Sequence, residues 1–307
     1  MDNSPHRSDI IDANGIHLHY LDWGGTGPTI LFLTGFGDSA HIFDNLAPKF
    51  TDRFRVLGLT RRGHPGSDMP DTGYDVSTLA KDIEQFLDKL SVEQVILVGH
   101  SLAGDEMTHF AASHPMRVMK LVYLDSALDS TERLEIWKRN PIKDVKSPLS
   151  EEEIHASVDS YMANFRRTNP DFEAVWSDLF EEEIRRQIAV RPDGTAADLM
   201  PPAIASALMQ GSSDYHKEYA AVQAPALSFY AMSDHPATPD YLTDTERRQF
   251  QEFVEQVWKP SKLRSIEQFR SNMIRGRIVE LPNTHHYCFL DREDEVVREM
   301  RKFLLDG

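Results

Sequence analysis

Ser101, in the stretch GHSLAG, has the residue type and the neighbours of a nucleophile. A serine hydroxyl attacks a carbonyl only when a base takes its proton and a third group orients that base. His286, in ELPNTHHYCFLDRED, is the candidate base, and His285 is its competing neighbour. Asp234, in PALSFYAMSDHPATP, is the candidate acid and is stiffened by Pro236 and Pro239. Asp125, at the end of LVYLD, is the alternative acid, since it keeps the same chain order of serine, acid and histidine. A strand-end aspartate more often caps local N–H groups, so Asp234 is preferred. The chemistry such a set would run is acyl transfer through a covalent acyl-enzyme.

These residues need elements that hold them. QVILVGH (Gln94 to His100) reads as a buried strand that runs out just before Ser101, and a helix-like segment follows. A sharp strand-to-helix turn would push the serine side chain out at the carboxyl edge of a sheet. Gly99 and Ala103, with Gly104 beside them, supply the small neighbours that a tight turn needs. The helix start would also aim free N–H groups at the site, and Asp105 and Glu106 in its first turn suit the helix dipole.

Further strand candidates are IHLHYLDW, TILFLTG, FRVLGLT, MKLVYLD, ALSFYAM and GRIVELP. Between them Val76, Leu79, Ile83, Phe86, Leu87 and Leu90 fall on one helical face, and Val297, Met300 and Leu304 repeat the pattern near the end. Buried short strands alternating with helices give an α/β fold: a mostly parallel sheet with helices on both faces. Residues 1–128 and 223–307 would form this core. Residues 129–222 offer helices and no convincing strand, and read as a helical cap. Ser150 and Glu153 form a capping box at the start of one of its helices. A second helical stretch, Asp244 to Trp258 with Ser261 to Met273 after it, fills the gap before the last strand.

Composition narrows the class. The 307 residues are 40% hydrophobic, enough for a sizeable core, and the net charge of −16 argues against nucleic acid and anionic membrane surfaces as partners. One cysteine, Cys288, excludes an internal disulfide, and no apolar run approaches a membrane span. A cytoplasmic protein working on a small molecule is the expectation, and the sequence leaves its oligomeric state open. No cofactor is expected. The histidines of HLH (His17 to His19) and His285-His286 find no carboxylate or cysteine at ligand spacing, so no metal is expected either. Glycines 24, 25 and 27 precede a strand rather than a helix and read as a hairpin turn rather than a phosphate loop.

The segments LTGFGDSAHIFD, RRGHPGSD, GHSLAG, MSDHPATP and NTHHYCFLDRE together resemble the α/β-hydrolase superfamily over nearly the whole chain. The resemblance implies Ser101 as nucleophile, His286 as base and Asp234 as acid. It also implies an oxyanion hole made by the backbone N–H groups of Leu102 and of Phe36. Two positions depart from the family pattern: Thr34-Gly35 stands where His-Gly is frequent, and Thr60 where an aspartate is usual. The dehalogenases and epoxide hydrolases of this fold use an aspartate nucleophile, so Ser101 argues against both activities. The expected function is cofactor-free hydrolysis of an ester or lactone of a small, largely apolar molecule. The alternatives are hydrolysis of a carbon–carbon bond by the same triad, and a non-catalytic ligand-binding receptor on the same fold.

Overall fold

Runs such as Val95–His100 are mostly apolar, buried on every residue and too short for a helix, so they are satisfied inside a sheet covered on both faces. The computed structural model of the chain describes residues 6–233 and 236–306. Strands β1 (Arg7–Ala13) and β2 (Ile16–Gly24) form a hairpin, followed by β3 (Thr29–Leu33), β4 (Arg55–Leu59), β5 (Val95–His100) and β6 (Val118–Leu124). A two-stranded hairpin, β7 (Ile188–Val190) and β8 (Ala196–Asp198), stands apart from them. β9 (Ala226–Met232) and β10 (Gly276–Pro282) complete the main sheet, whose order is β1-β2-β4-β3-β5-β6-β9-β10. From β4 through β10 every neighbour pair is parallel, and β2 joins β4 antiparallel. β1 did not register as a strand in the sequence because its RSDIIDA run is mostly exposed at the sheet edge and carries little apolar alternation.

Helix α1 (Val76–Lys89) buries Val76, Leu79, Ile83, Phe86 and Leu87, the stripe expected from its spacing, and Asp75 caps its start by accepting from Thr78 N. Helix α2 (Ala103–Ser113) follows β5 and is buried along most of its length. The 129–222 region carries α3 (Arg133–Arg139), α4 (Glu151–His155), α5 (Val158–Thr168), α6 (Asp178–Arg186) and α7 (Pro202–Ser213). The Ser150–Glu153 capping box at α4 is present. The β7–β8 hairpin lies in this region too, where no strand was expected. Each arm has only three residues, too few for an alternating pattern, and its turn is shaped by Gly194 at φ +86°.

This region has no core of its own. Met162, Val175, Phe180 and Ile184 belong to the same buried cluster as the sheet residues Phe32, Val98 and Leu227. Later in the chain, α8 (Asp244–Phe253) runs through a wider π turn, Val254–Trp258, into α9 (Lys259–Asn272). Pro260 explains the widening. A proline inside a helix has no N–H to give and crowds the preceding turn. Two short elements close the chain, α10 (Cys288–Asp291) and the longer α11 (Glu293–Leu305). No helix among the described residues is long and apolar enough to cross a membrane.

Candidate active site

Ser101 sits on the turn between β5 and α2 with φ +53°, a conformation that non-glycine residues seldom adopt and that marks a built feature. The small neighbours are required by contact. A Cβ on Gly99 would come within 2.5 Å of Met107 Sδ and 3.0 Å of Ala103 Cβ. Gly104 lies directly against the carbonyl of Ser126, leaving no room for a side chain there. A Cβ on Gly35, in the loop after β3, would meet Ser101 Cβ at 3.2 Å, so that loop approaches the serine only because residue 35 is a glycine. Phe36 follows it, half-turned to solvent, and Leu102 follows the serine. Among the described residues neither backbone N–H has a hydrogen-bond acceptor, so both are free to bind an oxyanion.

His286 lies in the loop after β10. Its Nδ1 stands 2.6 Å from Asp125 Oδ2, which leaves Nε2 as the nitrogen that can take a proton. Ser101, Asp125 and His286 line one cavity; Ser101 and His286 are not directly hydrogen-bonded in this structure. The imidazole is fixed from behind. The His100 ring packs 4.6 Å from it, and His100 Nε2 lies 3.3 Å from the His286 carbonyl. Next to it, the Tyr287 hydroxyl donates to both oxygens of Asp38 at 3.0 and 3.1 Å. Burial lowers the His286 pKa to about 4, against the opposing pull of Asp125.

The carboxylate at His286 Nδ1 is therefore that of Asp125, which ranked second in the sequence reading. Asp234, ranked first, lies outside the described residues. Asp125 reaches across because the chain turns sharply at the end of β6, where Asp125 itself takes φ +47°. Ala231 N, on the neighbouring strand β9, donates to its Oδ1 at 3.0 Å and fixes the other oxygen toward the histidine loop. The carboxylate is buried and also faces a cation: Lys262 Nζ, from α9, lies 3.0 Å from Oδ1 and 3.1 Å from Oδ2. Burial would raise the Asp125 pKa, but Lys262 and His286 outweigh it and hold the group well below the usual carboxylate range. Lys262 was not anticipated, since one lysine in a polar helix carries no signal of what it will face.

The cavity over these residues measures about 1060 Å³. Its roof comes from two separate stretches of chain, with Ile136 and Trp137 of α3 meeting Phe250, Phe253, Val254 and Trp258 of α8 and the π turn. Phe172 and Pro170 close the side above His285. His285 itself places Nε2 3.5 Å from Asp171 and accepts from Tyr287 N at Nδ1, so both its ring nitrogens are engaged away from Asp125. Thr60 and Thr34, the two departures from the family pattern, are both buried. Thr60 Oγ1 accepts from Ala40 N at 2.9 Å and meets His19 Nδ1 at 2.8 Å, tying the loop after β3 to the sheet. The sequence offered no carboxylate to complete a metal set, yet the fold brings His6, His41 and Asp44 together with ligand atoms within 4.8 Å. Asp44 spends its oxygens there on His6, His41 and Trp23 Nε1, at 2.9 to 3.0 Å.

A family model described as alpha/beta hydrolase fold matches residues 28–258. A 2-(acetamidomethylene)succinate hydrolase from Mesorhizobium japonicum is 29% identical over 77% of this chain and 82% of its own length. A non-heme chloroperoxidase from Streptomyces lividans is 33% identical, over 38% of this chain and 44% of its own length. Among solved structures, that of E-2-(acetamidomethylene)succinate hydrolase superposes with a TM-score of 0.69 at 21% identity. The superposition covers 97% of this chain and 99% of that one. The matches as a group support a hydrolase and leave its substrate open.

Proposed function

Because the chain belongs to the alpha/beta hydrolase fold family, we propose that it is a serine hydrolase cleaving an ester or lactone through an acyl-enzyme. Ser101 attacks the substrate carbonyl while His286 Nε2 accepts the hydroxyl proton. The N–H groups of Phe36 and Leu102 hold the tetrahedral oxyanion. His286 then returns the proton to the leaving group, and a water activated by the same imidazole frees the acid product. Asp125 holds Nδ1–H and balances the charge on the imidazolium. Residues 129–222, with the α8–α9 stretch, act as the cap over the acyl chain. The observation that carries this reading is the 2.6 Å contact between His286 Nδ1 and Asp125 Oδ2, on a histidine that shares its cavity with the strained Ser101.

The test is labelling and turnover together. A fluorophosphonate probe should attach to Ser101, located by peptide mass spectrometry, and Ser101→Ala should abolish both labelling and hydrolysis of p-nitrophenyl esters while the melting temperature holds. Asp125→Asn should keep the fold and cut turnover about 10⁴-fold, as loss of the orienting charge does in other triads. Labelling at Cys288, or full activity in Asp125→Asn, would overturn the assignment. An intact triad that turns over a carbon–carbon substrate and no ester or lactone would move the reading to the alternative chemistry.

A further inference from the structure

The charged side chains around the cavity are nearly all spoken for. Asp125 is closed by Lys262, and Asp171 pairs with His285. Asp129 Oδ1 accepts from Thr131 N at 2.9 Å and Thr131 Oγ1 at 2.7 Å, and Asp291 Oδ2 accepts from His285 N at 2.7 Å. Lys143 pairs with Asp144. Arg133, at the start of α3, is the exception. It lines the same cavity as Ser101, and among the described residues no carboxylate comes within 4 Å of it. Among the described residues its side chain has one polar contact, with Ser130 Oγ at 3.5 Å, at the limit of a hydrogen bond.

The anions that face Arg133 from farther off do not cancel it. They are Asp105 and Asp125, and each already holds a lysine: Lys217 on Asp105 and Lys262 on Asp125. Arg61, the remaining charged neighbour, is itself paired with Glu106 at 3.0 Å. A half-buried guanidinium with no carboxylate in contact keeps planar donors available for two oxygens at once. Much of the remaining wall is apolar, with Ile136, Ile142, Val145, Phe172, Leu242 and Phe253 among its residues, beside uncharged polar side chains such as Asn140 and Asn169.

We propose that Arg133 binds a carboxylate on the substrate, so that the site takes an acyl compound with an apolar body and a free carboxylate. This rests on the serine-hydrolase reading, and it names the substrate class of that same site. The guanidinium would fix one end of the molecule while the apolar wall covers its body, and so hold the scissile carbonyl over Ser101. A neutral acyl group of equal length would bury the same apolar surface and leave the guanidinium without its anion.

Two matched pairs of esters test it: p-nitrophenyl hydrogen suberate against p-nitrophenyl octanoate, and p-nitrophenyl hydrogen glutarate against p-nitrophenyl pentanoate. The expected readout is the ratio of kcat/KM for the anionic ester to that for its neutral partner. Arg133→Met should lower this ratio about 10²-fold in at least one pair, and Arg133→Lys should recover part of it. An unchanged ratio in both pairs would overturn the proposal. Binding gives an arm independent of turnover. Suberate and glutarate dianions are titrated calorimetrically into Ser101→Ala, and into Ser101→Ala carrying Arg133→Met. At least a tenfold loss of affinity is expected with the second change. Equal affinity, or no binding to Ser101→Ala, counts against the arginine. If the fluorophosphonate fails to label Ser101 while diacid binding still depends on Arg133, the serine reading fails and the anion site stands.

Discussion

Lys262 beside Asp125 sets the electrostatics of the histidine. An ammonium within 3.0 Å of the carboxylate shares the negative charge that would otherwise favour an imidazolium at His286. Burial is the main cause of the low His286 pKa, and Lys262 lowers it further. With the base at about 4, activity should rise through that pH and stay level above it, because the neutral imidazole is the working form. Lys262→Met removes one of the charges that lower the pKa, so the acid limb of kcat/KM should move to higher pH. The profile is measured on one ester from about pH 3.5 to 8. A limb that stays in place would limit Lys262 to holding the Ala231 carbonyl, its other acceptor.

The β5–α2 turn and the end of β6 are one mechanical unit. Gly104, in the first turn of α2, rests on the Ser126 carbonyl, and Ser126 Oγ donates back to Gly99 O at 2.7 Å. The turn at Ser101 and the residue after Asp125 therefore brace each other, and both Ser101 and Asp125 carry positive φ. Gly104→Ala drives a methyl into backbone that cannot step aside. It should cost about 1–3 kcal/mol in urea unfolding, the range for overpacking, and lower kcat by moving the Asp125 loop. A variant as stable and active as the parent would show that the two turns are not coupled. The π turn has a comparable place in the α8–α9 stretch. Pro260 forces the helix to widen, and both Val254 and Trp258 of that turn line the cavity.

Across the whole molecule, the 129–222 region is fastened to the sheet through Glu183 of α6. Its carboxyl accepts from Ser39 N and meets Ser39 Oγ at 2.7 Å, in the loop that also carries Phe36. Burial, with Asp38 adding to it, raises the Glu183 pKa from 4.5 to about 8. The unfolded chain releases this proton near 4.5 and the folded chain near 8. The folded state thus holds the extra proton in between. Its contribution is complete below the lower value and is lost as pH rises through the upper one. Glu183→Gln keeps the polar contacts and removes the titration. Its melting temperature should gain on that of the parent as pH goes from about 5 to about 8. Parallel curves for the two proteins would mean that Glu183 ionises at its ordinary pKa.

Much of this was legible in the sequence. The central strands of the sheet are short, mostly apolar runs that suit a covered sheet, α1 shows its buried stripe in its spacing, and GHSLAG announces a tight turn through its small residues. His286 follows from its place between the last strand and the last long helix. The partner of His286 was not legible, because a carboxylate is chosen by which loops meet in space. Asp125 and His286 are 161 positions apart and belong to strands separated by β9. What brings them together is the backbone turn at Asp125 and the Ala231 amide, neither of which leaves a pattern in the sequence. Lys262 and Arg133 were hidden for the same reason. A charge on a polar helix looks like a solvated face until packing decides whether it meets a carboxylate, as Lys262 does, or a cavity, as Arg133 does.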